Sequence, residues 1–123
     1  MHRYYLSYQM ALSFHRGVAC LPDSDGPRKH GLLRSAETLI HEFALAIRTS
    51  DRKLSAAKFC VALLAARDCE EILRARIEEL PAENRFEGEL PDLLRQWGVL
   101  HQRLEGICLE TADQERGQLR MLG

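Results

Sequence analysis

The chain has 123 residues, of which 46% are apolar and 28% are charged, as in an ordinary soluble globular protein. This length predicts one domain with a substantial core and is too short for two. The net charge of −1 argues against a dedicated nucleic-acid binder, because such proteins carry a clear basic excess. Fourteen of the 17 basic residues are arginine, which suits paired contacts with carboxylate or phosphate groups.

The four cysteines are isolated in the sequence, at Cys20, Cys60, Cys69 and Cys108, with no C-x-x-C pair. Three of them fall in apolar helical stretches, where free cysteine behaves as a small hydrophobic residue. No signal peptide is recognisable, and the longest uncharged run is far short of the roughly 20 residues that cross a bilayer. The sequence therefore predicts a cytoplasmic protein with reduced thiols and no membrane segment.

Two helices are predicted in the first half of the chain. The first covers about residues 3–21 and stops at Leu21–Pro27, where two prolines, a glycine and two aspartates prevent a helix from continuing. The second covers about residues 28–49. Its apolar side chains recur at helical spacing at Leu32, Ala36, Leu39, Ile40, Phe43 and Ile47.

Two more helices are predicted in the second half, over about residues 51–80 and 92–115, separated by the polar loop 81–91. The main apolar stripe of the third helix is Leu54, Ala57, Val61, Leu64, Ile72 and Ala75. The tail 117–123 is predicted to lack regular structure. Because the turn at 49–51 is short, helices two and three are antiparallel neighbours. The sequence thus predicts an all-α, up-down-up-down antiparallel four-helix bundle spanning residues 1–123.

An apolar run at 56–66 contains a single charge, Lys58. A helix that is apolar nearly all round needs neighbours on most sides, so we expect the third helix to be the central one. Apolar residues beyond the main stripes of helices one and three would remain exposed on a monomer, which predicts a head-to-tail contact between copies. The side chains expected in this contact are Tyr5, Leu6, Phe14, Phe59 and Leu63.

Candidate catalytic and metal-binding residues do not form a recognisable set. Glu37 and His41 are spaced i, i+4, whereas di-iron bundles carry paired Glu-x-x-His motifs, so a hydrogen bond on the helix surface is the simpler interpretation. We expect Cys60 to be buried and therefore unreactive. Asp68 falls on the stripe of the third helix, either partly exposed or paired with an arginine from another helix. The sequence predicts no catalytic residue, no metal site and no cofactor.

Two basic clusters are candidate binding sites for phosphate or for an acidic protein. The first comprises Arg28, Lys29, His30 and Arg34, and the second comprises Arg48, Arg52, Lys53 and Lys58. An antiparallel bundle places the clusters at opposite ends. Cations at the start of a helix oppose its dipole, so the first cluster gains nothing from its own helix. Solvated surface, protein contact and phosphate binding all remain open.

The order of these features resembles a known superfamily. An aromatic-rich first helix is followed by Pro27–Arg34, by the turn Arg48–Lys53 and by the acidic step Asp68–Glu71. This order resembles the four-helix proteins encoded by intervening sequences in bacterial ribosomal RNA genes. It also resembles their relatives, the accessory variability proteins of diversity-generating retroelements.

The resemblance implies a homopentameric barrel without catalytic activity. In the retroelement branch, the barrel binds a reverse transcriptase and its RNA through basic surfaces. The positions here that match basic positions of that pattern are Arg28, Lys29, His30, Arg34 and the turn Arg48–Lys53.

Three functions follow as hypotheses. The first is a non-enzymatic, self-assembling scaffold, pentameric if the resemblance holds, for protein or nucleic-acid partners. The alternative is a nucleic-acid-binding accessory factor of a reverse transcriptase. The third, and the weakest, is a bundle-type enzyme that uses a metal or a small molecule.

Overall fold

The chain folds into four long α-helices, described by a computed structural model of residues 3–22 and 27–122, with side chains described for 3–22 and 29–112. The helices are α1 (Tyr5–Ala19), α2 (Pro27–Arg48), α3 (Arg52–Glu78) and α4 (Glu89–Leu122), and a 3₁₀ turn covers Ala82–Asn84. The described residues contain no strand. The predicted all-α four-helix architecture is confirmed.

Consecutive helices pack as neighbours, and α4 closes the bundle against α1. The Ser55 hydroxyl donates to the Ala46 carbonyl at 2.8 Å, which sets α3 antiparallel to α2. The Tyr4 hydroxyl donates to the Glu110 carboxylate at 2.9 Å, joining the start of α1 to the C-terminal half of α4. In this arrangement α1 and α3 lie at diagonal corners and run in the same direction. Within the described residues, no helix is long and apolar enough to span a membrane.

Aromatic side chains fill the centre of the core. The ring of Phe59 contacts those of Tyr4 and Phe43, each with a centroid distance of 5.4 Å and nearly perpendicular planes. This edge-to-face geometry is favourable beyond the apolar area it buries. The buried Trp97 donates its Nε1–H to the Ala66 carbonyl at 2.5 Å and so pins α4 against α3.

The helix ends follow from capping and from proline positions. Asp51 caps α3, because its carboxylate accepts the Leu54 N–H at 2.9 Å. Pro27 is the first residue of α2, where a missing N–H costs nothing. Gly88, with φ of 116°, precedes α4, and Pro91 is accommodated in the first turn of that helix.

The predicted bounds of α1, α2 and α3 agree with the structure to within two residues at each end, but those of α4 are wrong. The helix begins at Glu89 rather than 92 and continues through Leu122, so the predicted unstructured tail is helical up to that residue. After Pro91 the sequence contains no further proline, and Leu, Gln, Glu and Arg, which favour helix, dominate its end.

The side of α3 that faces the core also differs from the predicted one. Its buried residues are Ala56, Phe59, Ala62, Ala65, Ala66, Cys69 and Leu73. On the predicted stripe, by contrast, Leu54, Ala57, Val61, Leu64 and Ala75 are exposed and Ile72 is half-buried. Small alanine side chains let α2 and α4 approach α3 closely, and this selects the alanine-rich side for burial. Because α3 lies at a corner between α2 and α4, the prediction of a central third helix is wrong.

Candidate assembly surfaces and basic clusters

An exposed apolar stripe on α3, which we call the α3 patch, consists of Leu54, Ala57, Val61 and Leu64. Three of these side chains are large and substantially exposed, at 51% for Leu54, 40% for Val61 and 57% for Leu64. The spacing of three and four residues places them in one line along the outer face of the helix. A continuous apolar line of this kind on a helix surface is typical of a contact surface.

A second apolar surface lies on a different face of the bundle, between α1 and α4. We call it the α1–α4 groove; Met10, Ser13, Gln96 and Val99 line a shallow cavity of about 210 Å³ there. Leu6 extends the apolar surface one turn toward the start of α1 and is 61% exposed.

The residues predicted for the contact between copies have mixed outcomes. Tyr5 and Leu6 are exposed as expected, at 43% and 61%. The prediction is wrong for Phe14 and Phe59, which are fully buried and belong to the core. Leu63 is half-buried and packs against that core, so it does not point away from the bundle. The surplus of apolar surface is real, but on α3 it belongs to the stripe that was predicted to be buried.

The first basic cluster is only partly accessible. The Lys29 ammonium donates to the Leu21 carbonyl at 2.6 Å and is half-buried, so it ties the end of α1 to the start of α2. His30 and Arg34 are exposed on α2. The side chain of Arg28 lies outside the described residues.

The second basic cluster surrounds the start of α3, at the opposite end of the bundle. Arg48, Arg52 and Lys53 are exposed. Lys58 pairs with Glu42 of α2 at 3.3 Å and therefore stabilises the α2–α3 contact. The structure thus leaves three of the four predicted side chains of this cluster exposed to solvent.

The thiols differ sharply in accessibility. Burial raises the pKa of Cys69 to about 12, and the negative charge of Asp68 adds to this effect. The pKa of Cys108 is also raised to about 12, first by burial and then by the neighbouring Cys60. Cys60 is exposed, so the expectation that it is buried is wrong. Asp68 is exposed as well. This exposure favours the interpretation of Asp68 as a partly exposed acid over a buried pair with an arginine from another helix.

Ionisable side chains pair locally rather than converging on a single site. Within the described residues, no group of three or more His, Cys, Asp and Glu is placed to hold a metal ion. His101 Nδ1 lies 2.8 Å from Glu105, and its ring stacks on Trp97 with a centroid distance of 4.5 Å. Glu37 Oε1 lies 3.9 Å from His15 Nε2 of α1. The sequence-based interpretation pairs Glu37 with His41 instead.

The two apolar surfaces differ in how clearly the sequence marks them. The sequence contains a signal for the α3 patch. One turn beyond Leu64, the stripe Leu54–Leu64 continues to Asp68, a charged residue that favours exposure to solvent. The α1–α4 groove gives no such signal, since it depends on how two helices pair.

Comparison with known proteins adds no assignment: no family model, curated protein or solved structure matches this chain.

Proposed function

We propose that this protein is a non-enzymatic helical bundle that assembles with copies of itself and serves as a scaffold for other macromolecules. The observation that carries the proposal is the α3 patch, a line of large apolar side chains left in water by the folded subunit. Association removes this surface from water, which is worth about 1 kcal/mol for each half-exposed Leu or Val that becomes covered.

Two further features support a scaffold. Several ionisable groups form local pairs, either between helices, as in Lys58–Glu42, or within one helix, as in Arg74–Glu70. The described cysteines are free thiols, in keeping with a reducing compartment such as the cytoplasm. The superfamily resemblance supplies the number of copies that we propose, which is five.

A paired-charge variant tests the role of the α3 patch. The double variant Val61→Glu, Leu64→Glu places two carboxylates in the proposed contact, and we expect it to remain folded and to be monomeric by light scattering. The matched control is Phe86→Glu, because Phe86 is 78% exposed but lies in the loop before α4. The control should keep the wild-type mass. Equal masses for wild type and double variant would contradict the proposal.

Nucleic-acid binding is a second candidate, favoured by the exposed cations Arg48, Arg52 and Lys53 around the start of α3. In a ring with parallel subunits, this cluster would recur around one rim and bind a polyanion at several points. A gel shift with single-stranded RNA at increasing salt tests this function. Replacing all three residues by alanine should reduce the slope of log K against log[salt] by about 2 for each subunit whose cluster contacts the RNA. The control is the pair Arg74→Ala, Arg95→Ala; equal slopes for both variants would argue against a phosphate site.

A further inference from the structure

The α3 patch and the α1–α4 groove lie on different faces of one subunit, and both leave apolar side chains in water. We propose that the α3 patch of one copy docks into the α1–α4 groove of the next copy, in a repeating head-to-tail contact. This inference rests on the proposed self-assembly and adds which two surfaces meet.

The two surfaces lie at the same level along the bundle. The bond from Trp97 to Ala66 places that turn of α4 beside the middle of α3, and Leu64 and Val99 are each two residues from one of these anchors. Met10 lines the same groove as Val99. Leu64 on one side and Met10 with Val99 on the other are therefore level to within about one helical turn.

Both surfaces also extend from this level toward the same end. The α3 patch runs back from Leu64 to Leu54, toward the start of α3, and the apolar wall of the groove runs back from Met10 to Leu6, toward the start of α1. Because α1 and α3 run in the same direction, neighbouring copies with parallel axes can bring the two surfaces together without sliding along the bundle. A rotation about an axis parallel to the helices meets this condition, and repeating it gives a closed ring.

The shapes of the two surfaces are complementary. The α3 patch is a convex line of Leu and Val side chains, whereas Ser13 and Gln96 leave a cavity of about 210 Å³ between the two helices of the groove. Side-chain ridges of one helix commonly pack into grooves on another helix surface, and here the groove lies between α1 and α4.

Beyond the apolar region, α1 carries a charge opposite to those of α3, whereas α4 carries Glu89 and Asp92, and Asp92 pairs with Arg95 of its own helix. Asp68 and Glu71 are exposed one and two turns past Leu64 on α3, and Arg16 is exposed about one turn past Ser13 on α1. In the proposed contact, these acids lie near the arginine of the next copy.

If α3 instead paired with α3 of a second copy, the α1–α4 groove with its apolar residues would stay uncovered. A single head-to-tail contact covers both surfaces.

A mixing experiment distinguishes these arrangements. One variant, Val61→Glu, Leu64→Glu, loses the α3 patch and keeps the groove; the other, Leu6→Glu, Val99→Glu, loses the groove and keeps the patch. Each alone should be a monomer of 14.1 kDa. Mixed one to one, they retain one intact contact, and native mass spectrometry should detect a heterodimer of twice that mass. If wild type assembles but the mixture stays monomeric, the head-to-tail contact is wrong and self-assembly stands. If wild type is monomeric, both proposals fail.

Cross-linking provides a second readout that does not depend on the affinity of a single contact. In a background carrying Cys20→Ser and Cys60→Ser, the variants Leu64→Cys and Ser13→Cys are prepared separately and then mixed under mild oxidation. We expect a covalent dimer in the mixture and none in either variant alone. A covalent dimer of the Leu64→Cys variant alone would show that α3 pairs with α3 and would overturn the inference.

Discussion

The buried thiol of Cys69 shows how a single position is determined by the side of the helix on which it lies. Cys69 is on the inner side of α3 and is fully buried, whereas Cys60, nine residues earlier, is exposed. Nine residues make two and a half turns, so the two side chains point in roughly opposite directions. Cys60 follows the apolar Phe59 and is exposed, whereas Cys69 follows the charged Asp68 and is buried, so the immediate sequence neighbours do not predict which thiol is buried.

Burial of Cys69 should make stability depend on pH in the alkaline range. Its pKa is raised from 9.0 to about 12 in the folded protein, so above pH 9 the unfolded chain loses the proton while the folded chain keeps it. The free energy of unfolding therefore falls as pH rises from about 9 to about 12.

Urea unfolding followed by circular dichroism at about pH 8 and about pH 10.5 measures this effect. The thiol contributes a decrease of about 2 kcal/mol between these pH values. The Cys69→Ala variant should lack this contribution, whereas the control Cys20→Ala, which removes an exposed thiol, should decline as steeply as wild type. An identical decline in Cys69→Ala and wild type would contradict the assignment.

At the scale of the helices, the sequence predicts the four elements well because their breaks are chemically unambiguous. The proline- and aspartate-rich stretch after Leu21, the cap at Asp51 and Pro81 leave few alternatives. Rotation of a helix about its own axis is harder to predict when apolar residues occur on all sides. In α3, periodicity allowed both the stripe through Val61 and the stripe through Ala62. The second continues without a charge through Cys69 to Leu73, and it is the buried one.

The glycines within α1 and α4 provide an element-scale prediction. A Cβ at Gly98 would meet no atom within 4 Å, whereas a Cβ at Gly17 would lie 2.7 Å from Leu93 Cδ2 in the core. Gly98→Ala should therefore raise the free energy of unfolding by about 0.5–1 kcal/mol through helix propensity.

Gly17→Ala gains the same propensity but must displace the buried Leu93, so we expect it to be clearly less stable than Gly98→Ala. Thermal and urea unfolding of both variants provide the comparison. Equal stabilisation by the two substitutions would mean that α1 and α4 approach each other less closely at Gly17 than the structure indicates.

At the scale of the whole molecule, the folded subunit leaves apolar surface on two different faces. The excess of apolar residues on helices one and three was predictable from sequence, but the identity of the exposed ones was not, since Phe14 and Phe59 are buried while Val61 and Leu64 are exposed. Which face is left open depends on the pairing of all four helices. Tyr5 and Leu6 lie beyond the main stripe of α1 and are exposed, but Phe14, assigned to the same group, is buried, so position relative to the stripe does not by itself predict exposure.

The molecular mass of the wild-type protein in solution, measured by sedimentation equilibrium over a dilution series, tests self-assembly most directly. We expect an integral multiple of 14.1 kDa at high concentration, five copies if the superfamily resemblance holds, with dissociation on dilution. A mass of 14.1 kDa at every concentration would contradict self-assembly, and the exposed line from Leu54 to Leu64 would then need another partner.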